Sequence, residues 1–331
     1  MIVPVARSNK ALLSIKALME PIISVVIPLY NKEKSISRTI RSVQNQTEQR
    51  FELIVVNDGS TDNSVSVVQS LLDSGRIINQ ENAGVSAARN RGVLEANTDL
   101  IAFLDADDEW KPGFLNYILR LRNNFPDCGA YATFYETIQT NGRVSYPLLN
   151  EIPPEPWIGI LPNLFQILQG CIPFYPSSIA IPKKVFNNLG GFPVGVNRGE
   201  DGMMWIRLGV NYPIAYSPAR QAIYHQDAEN RVCMTIPNDG DEARIQLMEK
   251  MLEDNEVSVD LMNSFIDYYG YINIHKAVNL IKEGQSKLAR EYLSKVKQSK
   301  KYHRIYQWWY LCSLIPFPLI TILSKFRSKS E

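Results

Sequence analysis

The sequence predicts an α/β fold on a mostly parallel central sheet flanked by helices, from three observations. Short β-branched runs alternate with segments of helical periodicity from Ile22 to about Asp108. The strand-like runs are apolar throughout, as in sheets covered on both faces. The most unusual polar residues fall directly after those runs, where open parallel sheets bind ligands.

Ile22-Ile23-Ser24-Val25-Val26-Ile27 reads as a buried strand. Lys34 to Gln44 follows as a helix, with Ile36, Ile40 and Val43 on one face. Phe51 to Val56 is a second buried strand. Ser60-Thr61-Asp62 supplies capping chemistry for a helix ending at Leu72. Arg76-Ile77-Ile78 is a short third strand, Val85 to Glu95 a helix, and Leu100 to Leu104 a fourth strand. Such alternation implies right-handed crossovers. Residues 126–180 are irregular and rich in Pro and aromatics, and are expected to widen the sheet. Residues 240–300 are helical by pattern, and Ile305 to Leu323 is strongly apolar.

The chain has 331 residues, enough for one large domain with additions. Lys+Arg of 35 against Asp+Glu of 34 gives a net charge of +1, which argues against a nucleic-acid partner. Cys128, Cys171, Cys233 and Cys312 are widely spaced and form no metal-ligand pattern, so a reducing cytoplasm fits. Residues 1–20 lack a cleavage pattern and read as an N-terminal lead.

Asp105-Ala106-Asp107 sits directly after an apolar strand. Clustered carboxylates there need compensation, and a hard divalent cation supplies it. Mg²⁺ and Mn²⁺ take one or two carboxylates together with phosphate oxygens, and offset charge on a departing diphosphate. A calcium loop does not fit, because the sixth position from Asp105 is Trp110 rather than Gly. The plain alternative is an acidic cap or a solvated loop.

Taken together, six segments resemble glycosyltransferase family 2, of GT-A fold. They are Ser24 to Asn31 (SVVIPLYN), Val55 to Asp62 (VVNDGSTD), Asn82 to Asn90 (NAGVSAARN), Phe103 to Asp108 (FLDADD), Gly190-Gly191-Phe192 and Gly199-Glu200-Asp201. The resemblance runs from Pro21 to Gln226. It implies a catalytic domain over 21–232, with a nucleotide-binding half (21–108) and an acceptor half (109–232). A helical extension (233–304) and an amphipathic, apolar tail (305–331) follow.

The resemblance also implies roles. Pro28 and Tyr30 would line the nucleobase pocket, Glu33 would reach the ribose, and Asp58 would accept a hydrogen bond from the base. Arg89 would face the diphosphate or the acids. Asp105 and Ala106 would contact the donor, and Asp107 would bind the metal, with Asp105 beside it. Asp201 would be the general base, with Glu200 its rival. His225 would add a third metal or phosphate contact, an ordinary structural histidine being the alternative. For Glu33 the alternative is a charge complementing a helix dipole; for Arg89 it is a simple ion pair.

The chemistry is coherent. Inverting transfer is one displacement, in which a carboxylate deprotonates the acceptor hydroxyl opposite the leaving group. The diphosphate needs electrostatic stabilisation rather than protonation. The implied partners are a nucleotide-diphosphate sugar, with uridine suggested, and a saccharide or lipid-linked acceptor of surface polysaccharide or glycoconjugate assembly. A homo-oligomer stays open.

Trp308-Trp309, the broken apolar run to Leu323 and the flanking Lys and Arg residues suit the headgroup region of a membrane. Pro316 and Pro318 argue against a span. The expected location is the cytoplasmic membrane face, with a packing arm or dimer contact as the alternative. A dehydrogenase or a sugar-nucleotide synthase would need a Gly-rich loop after the first strand, where Pro28-Leu29-Tyr30-Asn31-Lys32 stands. A catalytically degenerate scaffold at the membrane is the remaining rival, against which stand Asp58, Asp105, Asp107 and Asp201.

Overall fold

The computed structural model describes residues 20–149, 151–196, 198–229 and 240–315. Nearly all of the N-terminal lead, Cys233 and the apolar tail beyond Ile315 lie outside them.

The first strand, β1 (Ile23–Leu29), is buried along its whole length. It pairs in parallel with β2 (Phe51–Asp58) on one side and β4 (Leu100–Phe103) on the other. β3 (Arg76–Gln80) adds to β2, also in parallel. Pro28 is tolerated in this central strand for a geometric reason. The Val26 carbonyl accepts from Leu104 N at 3.0 Å, so alternate main-chain groups face β4. Two residues on, the donor that Pro28 lacks would face a level where β4 has ended.

The helices between these strands are α1 (Ile36–Gln44), α2 (Ser64–Leu71) and α3 (Val85–Glu95). α1 starts two residues later than its sequence suggests, because the Lys32 carbonyl accepts from both Ser35 and Ile36 in a preceding turn. α2 likewise begins at Ser64, whose N–H is capped by Asp62 Oδ1 at 3.0 Å.

The second half widens the sheet, as the composition of 126–180 suggests. β5 (Glu109–Trp110) and α4 (Phe114–Asn124) precede β6 (Ala130–Ile138). β7 (Val144–Ser145), β8 (Gly159–Ile160) and α5 (Leu164–Ile167) lead to β9 (Ile179–Pro182) and α6 (Lys183–Asn188). α7 (Glu200–Asn211) and β10 (Ile214–His225) complete this half. The sheet order is β3-β2-β1-β4-β9-β6-β10-β5, with β7 on β6 and β8 on β10. β9 is antiparallel to both neighbours, while β6 and β10 pair in parallel. The chain leaves β1 towards β2 and β3, then returns to its other side as β4. That reversal is a topological switch point, and it opens a crevice beyond the ends of β1 and β4.

Alternation along β1 divides the core. Val26 joins one face with Phe103, Phe186, Phe192 and Trp205. Val25 and Ile27 join the other with Ile36, Ile40, Trp110 and Phe114. A third cluster belongs to α8 (Gly240–Glu253), α9 (Val259–Lys282) and α10 (Ser286–Lys295), and includes Phe165 and Ile206 from the preceding half. Phe165 and Phe265 meet edge to face at 5.0 Å. α11 (His303–Cys312) is the last helix among the described residues. Among the described residues, no helix is long and apolar enough to cross a membrane.

α3 lies against β1 through Gly92, where an added Cβ would stand 2.2 Å from Val26 Cγ1. Gly92→Ala is expected to lower stability by about 1–3 kcal/mol through overpacking. An unchanged midpoint in urea unfolding would show that this contact yields freely.

Candidate active site

The sequence-predicted residues converge at the carboxyl ends of β1, β2 and β4. Pro28 is buried within β1, whereas Tyr30, just past its end, is 46% exposed. Asn31 adopts a positive φ of 49°, and its side chain accepts from Thr61 N at 2.8 Å. Glu33 uses Oε2 to accept from the backbone N–H and side chain of Asn63, both at 3.0 Å. It therefore serves the N-terminus of α2, the role of a charge complementing a helix dipole.

Asp58 is buried, and its carboxylate organises the next loop. Oδ1 accepts from Gln80 Nε2 at 2.7 Å and Ala83 N at 2.9 Å, and Oδ2 accepts from Gly84 N at 2.9 Å. These bonds fix the start of α3 and hence the direction of Arg89.

Arg89 is 3% exposed. Its guanidinium donates to Asp105 Oδ1 at 2.7 Å and to Glu200 Oε1 at 3.1 Å, and lies 5.0 Å over the Phe192 ring. Burial opposes its charge, but the Asp105 and Glu200 carboxylates outweigh burial and push its pKa above the ordinary value. Next to it, Asn90 exchanges two hydrogen bonds with the Phe192 main chain, at 2.8 and 2.9 Å. The Gly190-Gly191-Phe192 segment thus places an aromatic face beneath Arg89.

The acids after β4 have separate environments. Asp107 pairs with Lys32 Nζ at 2.7 Å. Burial and the Asp105 charge raise its pKa, against the pull of Lys32. The Ala106 carbonyl accepts from Thr39 at 3.0 Å, and the Asp107 carbonyl from Arg38 at 2.9 Å. Asp108 is fully buried, accepting from Ser177 Oγ at 2.6 Å and from His225 N at 3.2 Å. Burial, followed by the charges of Asp107 and Asp105, pushes its pKa well up. Ser177 also accepts from Asp105 N at 3.0 Å, so one hydroxyl links both acids.

His225 comes to the cluster through its main chain. Its ring Nε2 meets Glu109 Oε2 at 2.9 Å. Among the described residues there is no group of three or more His, Cys, Asp or Glu side chains arranged to hold a metal.

Glu200 and Asp201 open α7 after Gly199, whose φ is 81°. A Cβ on Gly199 would lie 2.9 Å from Gly240 Cα, where α8 begins. Glu200 is held by Arg89, while Asp201 Oδ1 accepts its neighbour's Gly202 N–H at 2.7 Å. The two adjacent acids thus have different surroundings, and both lie close to Arg89.

The family model described as Glycosyl transferase family 2 matches residues 24–189, just over half of the chain. The chain belongs to glycosyltransferase family 2. Among curated relatives, the family 2 chain is 38% identical over 125 residues to the uncharacterized glycosyltransferase YibD of Escherichia coli, covering 36% of each protein. It is 29% identical over 137 residues to the glycosyltransferase GlyA of Streptococcus pneumoniae, covering 40% of this chain and 20% of that protein. The chain thus spans well under two thirds of the length of these relatives. The structure of S. aureus TarS 1–349 in complex with UDP-GlcNAc superposes with a TM-score of 0.61 at 17% identity, over 86% of this chain and 91% of that one. This match establishes the shared GT-A fold.

Lys32, Asp108, Glu109 and Ser177 also belong to this cluster of contacts in the family 2 chain, although the sequence does not single them out. Asp108 stood within the acidic run and was the one recoverable signal. Lys32 and Ser177 reach the acids across 75 and 72 residues, and no local pattern marks them.

Burial and the Asp201 charge raise the pKa of Glu200 above its usual value, against the pull of Arg89. The native state therefore holds this proton more tightly than the unfolded chain. The resulting stabilisation is full below about pH 4.3 and is lost as pH rises through the native pKa. Glu200→Gln is expected to flatten the decline in melting temperature between about pH 4.3 and neutrality. Parallel wild-type and variant curves would contradict it.

Proposed function

We propose that the chain is an inverting glycosyltransferase that moves a sugar from a UDP-sugar to an acceptor hydroxyl, with Asp201 as the general base. One observation carries this reading. Arg89 holds Asp105 with one nitrogen and Glu200 with another, bringing the donor-side acids and the Glu-Asp pair to opposite sides of one guanidinium. Glu200 is engaged in that bridge, so Asp201 is the acid left to take a proton from the acceptor.

Tyr30 offers an exposed ring for stacking on the base beside Pro28. Asp58 has accepted three hydrogen bonds, which leaves capacity on Oδ2 for the base N–H. Glu33, at the same loop edge beside Asn63, is proposed to reach the ribose.

The acid cluster is proposed to take a divalent cation. Asp107 is destabilised as an anion by burial and by Asp105, and Lys32 already places a positive charge against it. Asp107 and Asp105 would hold Mn²⁺ or Mg²⁺ together with phosphate oxygens, as these hard ions prefer. When bound, the metal would supply charge stabilisation to the departing diphosphate. Ser177 and Thr39 fix the backbone of the acidic loop, so both carboxylates stay oriented. The ring of His225 is engaged with Glu109, and its part is to hold Asp108 through the main chain.

The acceptor is proposed to be a saccharide or lipid-linked saccharide at the cytoplasmic membrane face. α11 supports this reading, with Trp308 39%, Leu311 59% and, just beyond the helix, Leu314 59% exposed, a few residues after Lys300, Lys301 and Arg304 in the sequence.

Purified protein is expected to release UDP from one UDP-sugar in Mn²⁺ and not in EDTA. Asp201→Asn should lower turnover by about 10²–10⁴-fold while donor binding by calorimetry is retained. Full turnover in Asp201→Asn would remove it as the base. In a flotation assay with anionic vesicles, the full chain should float and a chain ending at residue 302 should stay at the bottom. Equal flotation of both would place the membrane contact elsewhere.

A further inference from the structure

Lys32 lies in the loop after β1, and its main chain is fixed on both sides. Its N–H donates to Ser64 Oγ at 2.7 Å, and its carbonyl accepts from Ser35 and Ile36. From this anchored position the side chain crosses to the acidic loop, where Nζ stands 2.7 Å from Asp107 Oδ2. Nζ also donates to the Glu229 carbonyl at 2.5 Å. Glu229 is held in turn, its carboxylate accepting from Lys34 N at 3.0 Å and Ser35 Oγ at 3.3 Å. The ion pair is mostly buried, with side-chain exposures of 12% for Lys32 and 17% for Asp107.

Lys32 is bound differently from Arg89. Arg89 joins two carboxylates with a rigid fork, and its departure would leave both buried and unpaired. Lys32 brings a compact charge on a flexible stem to one carboxylate and one carbonyl. Such a charge is exchangeable. Its partner Asp107 is the acid proposed to take the divalent cation, so ammonium and cation address the same carboxylate. Together on one anion they would meet as like charges in a place that salt screens little. A diphosphate arriving with the cation changes this balance, because its anionic oxygens give the displaced ammonium a new partner.

We propose that Lys32 is the resident counter-ion of the donor site. It compensates Asp107 while donor and cation are away and yields the carboxylate when they bind together. Glu229 positions the ammonium through its main chain. The inference rests on the transferase reading, and within it on Asp107 as a cation ligand. The cation alone must compete with Lys32, so its binding to the wild type depends on the nucleotide.

Mn²⁺ binding is followed by the loss of the free-ion EPR signal, with and without UDP, and cooperative thermal unfolding shows that each variant is folded. Without UDP, Lys32→Met is expected to bind Mn²⁺ about tenfold more tightly than the wild type, the low end of what one neighbouring charge does to a carboxylate. UDP should then improve Mn²⁺ binding less in this variant than in the wild type. Lys32→Arg, which keeps the charge, should stay near the wild type, as should Lys34→Met, which removes an exposed charge two residues on. The gain should vanish when Asp107→Ala is added to Lys32→Met. The proposal is overturned if Lys32→Met binds Mn²⁺ no better than the wild type, if Lys34→Met gives the same gain, or if the gain survives the loss of Asp107. In each of these cases wild-type binding of Mn²⁺ with UDP leaves the transferase reading standing. Failure of both wild type and Lys32→Met to bind Mn²⁺, even with UDP, would bring down the cation at Asp107 and this inference with it.

Discussion

The buried guanidinium of Arg89 is the constraint on which the rest of the site depends. A charge this deeply buried is stable only when paired and hydrogen-bonded, and Arg89 meets both conditions by joining Asp105 to Glu200. The end of β4 and the start of α7 are thereby fixed relative to each other. Much of the neighbouring sequence serves this bond. Asn90 clamps Phe192 under the guanidinium, Gly92 lets α3 approach β1, and Asp58 sets where α3 begins. A Lys in place of Arg89 would carry the charge without the fork that holds two carboxylates at once.

The acidic run after β4 presents the opposite problem, an excess of negative charge at the end of an apolar strand. The chain compensates only in part. Lys32 meets Asp107, Ser177 and the His225 main chain meet Asp108, and Arg89 meets Asp105. Even so, burial, followed by repulsion between the neighbouring acids, keeps the pKa values of Asp107 and Asp108 raised. The cost of holding these anions is an electrostatic property of the folded protein, and a cation or a cationic ligand group would lower it.

The four strands and three helices of the first half were legible because each is local. An apolar run of strand length between turn residues has few alternatives, and the helix expected from Val85 to Glu95 has those same bounds in the structure. The antiparallel insertion of β9 between β4 and β6 was not legible. Four residues, Ile179–Pro182, carry no pattern that names their partners. The same limit applies at the site. Asp58, Arg89, Asp105 and Asp107 stand out by their place after strands or in a recognisable motif. Lys32 and Ser177 become visible only when the fold brings them to the acids. Glu33 shows how a contact can depend on the fold, since its carboxylate reaches across to the N-terminus of α2, about thirty residues on.

The near-contact of Gly199 with Gly240 has a further consequence. The turn that orients Asp201 is pressed against the first residue of the C-terminal helices, with no room for a side chain on Gly199. Those helices are therefore not an independent accessory that can be traded between relatives. An exchanged extension would have to offer a residue as small as glycine at one point, or it would tilt the Glu-Asp pair. The first residue of the C-terminal helices and the turn before the Glu-Asp pair are mechanically joined there, so a change in the backbone of one must be accommodated by the other.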